Sequence, residues 1–164
     1  MSEEMPKRLI IVLFSADMDK AIEAFCMAVE APIFDVETAI FFTWWGLNLV
    51  RDPKGKSKEK QGWMKRMMMW MNRGGTKYLK MSRFQMMGMG PFMMRLIRKQ
   101  GNIKNIEDLM EIAREAGVQY WASKSCLDAM GLTKEHLIPD VDRIMTNLEL
   151  AIELLRQDTK VIYV

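Results

Sequence analysis

The sequence holds little of what most catalytic centres are built from. Its 164 residues include one histidine, His136, and two cysteines, Cys26 and Cys126. A single histidine leaves no Ser-His or Cys-His triad unless His136 itself serves, and nothing in its surroundings recommends it. Two cysteines, with no CxxC and no Cys/His ligand spacing, make neither a disulfide framework nor a zinc site, so no metal is expected. No apolar run reaches the ~20 residues needed to span a bilayer. The nearest, Ala39–Val50, is short and contains Thr43, Gly46 and Asn48. The opening MSEEMPKR lacks the apolar region of a signal peptide, which makes a reducing cytoplasm the expectation. After the first apolar run there is neither GxGxxG nor a P-loop, and Asp17 would repel a phosphate there. No nucleotide cofactor is expected on that ground.

What the chain does have is an ordinary globular composition, 49% hydrophobic and 27% charged, at a length that fits one domain over residues 1–164. The net charge of +3 hides an uneven distribution. Between Arg51 and Lys99 stand 14 Lys/Arg against Asp52 and Glu59, which is 14 − 2 = +12; the remainder, 10 basic and 19 acidic, carries −9. A basic segment is thus inserted in an acidic body. Such asymmetry points to an anionic partner, although a solvated basic face is the commoner cause.

Taken in order, Arg8–Phe14 (RLIIVLF) is a continuous, β-branched apolar run, as in a central parallel strand buried on both faces. Asp17 or Asp19 can cap a helix running to about Glu30, with Ala21, Ile22, Phe25, Cys26 and Val29 on its apolar face. Cys26 lies between core positions on that stripe and reads as structural. Val36–Thr43 predicts a second strand, with a helix or tight turn from Trp44 to Leu49 at its carboxyl end. Residues 51–62 form a lysine-rich loop. The alternation of strand and helix predicts a parallel, doubly wound sheet. Ligands of such sheets sit outside the carboxyl ends of the strands, which nominates Ser15, Asp17, Thr43, Trp44, Trp45, Ser123 and Cys126. A short helix over Pro91–Arg98, a helix over Asn105–Ala116 closed by Gly117, a helix over Asp142–Arg156 with Ile144, Leu148, Ala151, Ile152 and Leu155 inward, and a final strand over Thr159–Val164 complete the expectation. Leu137–Val141 has no clear type.

Two stretches stand out. Trp63–Met94 holds 11 of the 18 methionines, with aromatic and basic residues interleaved. The first expectation is a helical layer packed on the sheet or in an oligomer interface. A basic amphipathic element making peripheral contact with a membrane surface comes second. Cu(I) on thioethers ranks lower, because consecutive methionines cannot converge on one ion. Nucleic acid ranks last, since no recognised module is present. The other stretch, Val118–Leu132 (VQYWASKSCLDAMGL), reads as a buried strand to Ala122, a polar turn, and a short helix from about Ser125 to Gly131. Cys126 falls in its first turn, where free backbone N–H groups, the helix dipole and Lys124 favour a thiolate. The competing reading is a small apolar residue packing that turn.

Several phrases resemble the DsrE/DsrF-like superfamily, in particular its peroxiredoxin-annotated sulfur-carrier branch: SADMDKAIEAF, VETAIFFTWWGLNLVRD, MSRFQMMGMGPFMMRLI, IEDLMEIAREAGVQYWAS and CLDAMGL, in that order over nearly the whole chain. The resemblance implies a flavodoxin-like three-layer α/β/α fold, to which composition and length add residues 51–99 as a Met-rich helical insertion in a single domain. It further implies a cytoplasmic homo-oligomer without metal or flavin. The implied activity is sulfur relay, in which a cysteine carries sulfur as a persulfide or thiosulfonate between a sulfurtransferase and a sulfur-acceptor protein. Under that reading Cys126 is the nucleophile, Lys124, Ser123 and the amides near Ser125 steady the anion, and Trp44 and Trp45 exclude water. One position departs from the family pattern: its sulfur-bearing cysteine directly follows the strand-ending alanine, where this chain has Ser123. Either Cys126 takes over from the same pocket, or the chain is a catalytically silent interaction module that docks a partner or membrane through residues 51–99.

Overall fold

The computed structural model describes residues 6–55, 62–83, 89–101 and 104–164. Five parallel strands, β1 (Arg8–Leu13), β2 (Glu37–Phe42), β3 (Gln119–Ser123), β4 (Arg143–Met145) and β5 (Thr159–Tyr163), form one sheet in the order β4-β3-β2-β1-β5. The register aligns Leu13 with Phe42, Phe42 with Ala122, and Ser123 with Met145, so the carboxyl ends of the four adjoining strands share one edge.

The side-chain period of two divides the sheet's apolar residues between its faces. Ile11, Leu13, Ile40, Phe42, Tyr120 and Ala122 join one cluster. Helices α1 (Met18–Glu30) and α4 (Ile106–Glu115) cover it with Phe25, Ala28, Leu109 and Ala113, and Phe25, Phe42 and Tyr120 meet there ring to ring. Ile10, Val12, Ala39, Phe41, Trp121 and Met145 form the opposite cluster, against which α6 (Asn147–Leu154) lays Leu150 and Leu154. The result is the expected flavodoxin-like layering. The strand order is its own: the last strand, rather than the second, takes the edge beside β1.

Two expectations are corrected. Residues 142–156 are not one helix. Arg143–Met145 pairs with β3 as β4, and α6 starts only at Asn147 behind a capping box in which Thr146 and Glu149 satisfy each other's backbone N–H. The inward face changes accordingly, and Leu148, Ile152 and Leu155 point to solvent. At the start of α1, Asp17 occupies the cap position but makes no capping bond; its carboxylate accepts from the Ser15 hydroxyl at 2.7 Å, while Asp19 accepts from the Ser82 N–H at 3.1 Å.

The insertion contributes α2 (Trp63–Met71) and α3 (Met89–Gln100), the latter longer at both ends than expected. Neither is a layer packed on the sheet. In α2 only Met68 and Met69 reach the core cluster, and in α3 only Met94 does. Arg51 ties α2 down: its buried guanidinium donates to the Asn72 carbonyl at 2.6 Å, and Asn48 and Asn72 exchange two amide hydrogen bonds at 3.0 and 3.1 Å. The Arg51 stem lies so close to Gly74 that a Cβ there would meet it at 2.3 Å. Residues 84–88, which include the first two of the MGMGP phrase, lie outside the described residues.

Candidate functional site

Helix α5 (Lys124–Met130) leaves the carboxyl end of β3 with no intervening loop. Ser123 makes this possible. It ends the strand in extended conformation, and its hydroxyl accepts from the Cys126 N–H at 3.4 Å, capping the helix. Gly131, at φ 71°, closes it in the left-handed conformation that glycine adopts without strain. Cys126 therefore sits in the first turn, at the sheet's carboxyl edge, with its side chain 7% exposed. Its sulfur lies 3.2 Å from the Thr43 hydroxyl, which extends from the end of β2 on the neighbouring strand.

The thiol borders a pocket of about 300 Å³. Val12 and Phe41 give it a sheet floor, Asn147, Leu150 and Leu154 of α6 form a wall, and Phe14, Trp44, Ser125 and Tyr163 border it at the edge. Trp44 is half exposed and holds φ at 47°, a left-handed conformation costly for a bulky residue. The 3₁₀ turn Trp44–Asn48 is clamped on β1 by the Gly46 N–H, which donates to the Phe14 carbonyl at 3.0 Å. Any Cβ at Gly46 would stand 2.1 Å from the Leu13 carbonyl oxygen, so only glycine permits this approach.

The nominated residues do not all meet. Thr43, Trp44, Ser125 and Cys126 share the 300 Å³ pocket. Ser123 is buried behind it as the cap. Ser15, Asp17 and Trp45 line a different pocket of about 600 Å³, with Asn48 from the same turn as Trp45 and Met68 and Arg73 from the insertion. The turn splits the tryptophan pair, one ring going to each face of the sheet edge. Lys124 turns outward, where its ammonium pairs with the Asp128 carboxylate at 3.2 Å, a half-exposed contact of small energetic weight. Asn147, Leu150 and Leu154 were missed because the helix carrying them was started five residues too early. The signal was present in Thr146-Asn147-Leu148-Glu149, a capping-box spacing.

The other thiol differs. Cys26 sits on α1, packed against the core cluster; burial pushes its thiol up, and Glu23 and Glu30 add to the shift. Among the described residues, no three His, Cys, Asp or Glu side chains gather into a metal-holding group. None of the described helices is long and apolar enough to cross a membrane.

The molecule is thus a parallel five-stranded sheet with a cysteine at the start of the helix after β3. The model of the DsrE/DsrF/DrsH-like family matches residues 5–161, and the chain belongs to that family. It is 36% identical over 139 residues to the Bacillus subtilis protein YrkE, covering 85% of this chain and 86% of that one. It is 28% identical over 139 residues to the sulfur carrier protein DsrE2 of Allochromatium vinosum, covering 83% and 86%. The crystal structure of the ychN protein from E. coli superposes with a TM-score of 0.54 at 17% identity, over 98% of this chain and all of that one, a likeness of fold.

Proposed function

We propose that this protein is a cytoplasmic sulfur-relay carrier that holds sulfane sulfur on Cys126. The observation that carries the proposal is the Cys126 thiol at the carboxyl edge of the sheet, in contact with the Thr43 hydroxyl and bordering a pocket large enough for one more sulfur. Membership of the DsrE/DsrF/DrsH-like family and similarity to a named sulfur carrier support it.

The chemistry is a thiol–persulfide exchange. Cys126, as thiolate, attacks the terminal sulfur of a donor persulfide R–S–SH. The donor's S–S bond breaks, R–S⁻ leaves with the electron pair, and Cys126–S–SH forms without net oxidation. An acceptor thiolate then attacks that outer sulfur and returns Cys126 as thiolate. Thr43 donates a hydrogen bond to the sulfur anion, and Ser123 fixes the Cys126 backbone through the cap. The apolar walls and Trp44 limit water at the persulfide. Lys124 acts as a charge on the docking face for donor or acceptor, since its ammonium is already held by Asp128. Ser15, Asp17 and Trp45 serve the neighbouring pocket rather than the sulfur itself.

The whole chain acts as one domain in this reading, with residues 51–99 as an insertion. A second copy covers the apolar surface left by Leu148, Ile152, Leu155 and Tyr163, which are all more than half exposed beside the pocket. A silent docking module of the same fold is the competing reading, favoured by the low exposure of the thiol. Alkylation of the folded protein separates the two. A carrier gives Cys126 modification well ahead of unfolding. If Cys126 reacts only as the chain unfolds, the silent module is correct.

A further inference from the structure

Helices α2 and α3 are amphipathic the wrong way round for a soluble domain. Along α2, Trp63, Met67 and Trp70 recur at the i, i+4, i+7 spacing of one helical face, with Met64 and Met71 beside them. All five are exposed, the two tryptophans at 73%. The face turned to the body carries Lys65, whose ammonium donates to the Asp128 carbonyl at 2.8 Å, with Met68 and Met69 packed inward. Helix α3 repeats the pattern. Met89, Phe92, Met93, Leu96 and Ile97 lie on the exposed arc, while Gly90 and Met94 face the protein. Water should not be the medium for two such stripes.

The charge around the stripes selects what covers them. From Lys60 to Ile106 the sequence has eleven Lys/Arg and no Asp or Glu. Arg66 borders the α2 stripe, and Arg95 and Lys99 border that of α3, at flanking helical positions. A second copy of this chain would bring like charge to like charge at that surface. Nucleic acid would satisfy the cations but leave Met, Leu and Ile side chains in water. An anionic bilayer surface meets both demands: headgroup phosphates take the lysines and arginines, and the acyl boundary takes the tryptophans and aliphatic side chains.

We propose that α2 and α3 lie on an anionic membrane surface with their apolar stripes sunk into the headgroup–acyl boundary. The acidic remainder of the chain, at −9, is repelled by the same surface, which orients the molecule with its insertion downward. Attachment is reversible, since no described helix can span the bilayer and each cation contributes only about a fivefold gain in affinity. The lipid contact needs no reaction at Cys126 and stands apart from the sulfur chemistry.

The test is co-sedimentation of the full chain with vesicles of phosphatidylcholine mixed with phosphatidylglycerol, against phosphatidylcholine alone. The expected result is retention on the anionic vesicles that weakens as salt rises. It should fall more than tenfold in Trp63→Glu/Trp70→Glu, and likewise in Leu96→Glu/Ile97→Glu. These side chains are exposed, so both variants keep wild-type far-UV circular dichroism. No retention at low salt overturns the proposal, as does retention unchanged in both variants. An oligomer that dissociates in the variants while lipid binding is absent would assign the stripes to a second copy. Binding to a soluble polyanion without binding to vesicles would assign the surface to nucleic acid or an acidic protein.

Discussion

The Thr43 hydroxyl and the Cys126 sulfur lie 3.2 Å apart although 83 residues separate them in sequence. Adjacent parallel strands bring them together: β2 delivers Thr43 at its carboxyl end, and the register of Phe42 with Ala122 sets Cys126 one helical turn beyond the same edge. A hydroxyl at that distance stabilises a sulfur anion, and hydrogen bonds to charged groups are worth about 1.5–3 kcal/mol.

Thr43→Val therefore slows alkylation of Cys126 in the folded protein about tenfold or more. Thr43→Ser keeps the hydroxyl and retains most of the rate. The check is the rate of Cys126 alkylation, followed by mass, in the three proteins. An equal rate loss in Thr43→Ser would mean that Thr43 only shapes the pocket.

Gly46→Ala should be among the most destabilising single changes in the chain. The added methyl would stand 2.1 Å from a backbone oxygen of β1, which no rotamer change can relieve. The turn carrying Trp44 must lift from the strand, at a cost of about 1–3 kcal/mol or more. Chemical denaturation measures the loss, and a midpoint within error of wild type would contradict the packing described for this turn.

His136 gives the fold a pH dependence. The ring is buried, and its Nδ1 accepts from the Thr133 N–H at 3.0 Å, which fixes the neutral form with the proton on Nε2. Burial first, and the nearby Arg51 charge second, hold its pKa below the ordinary 6.5. The unfolded chain therefore binds a proton more readily than the folded one, and stability rises with pH through this window. The full contribution is present above 6.5 and is lost as pH falls toward the folded pKa. Thermal unfolding followed through that range should show the slope in wild type and a flatter one in His136→Gln.

Much of the fold could be read in advance because its strands are unambiguous. RLIIVL and TAIFF are buried on both faces and have no helical alternative, and Asn105 and Gly117 mark the ends of α4 as caps do. The misreading at 142–156 arose because Ile144, Leu148, Ala151, Ile152 and Leu155 fit helical spacing by chance of composition. A three-residue edge strand carries too few positions to oppose that pattern. Cys126 at a helix start was legible from Gly131 and the polar turn. The separation of Trp44 from Trp45 was not, because neighbours in sequence take sides of a sheet edge only once the turn geometry exists. Nor was the outward aim of α2 and α3: periodicity identifies an apolar stripe but not the phase it meets.

The most direct test of the account is intact mass after incubation with a persulfide donor, on wild type, Cys126→Ser and Cys26→Ser. The account predicts a reducible gain of one sulfur on wild type and Cys26→Ser, and none on Cys126→Ser. A wild type that never gains sulfur mass, or an adduct that persists in Cys126→Ser, would contradict it.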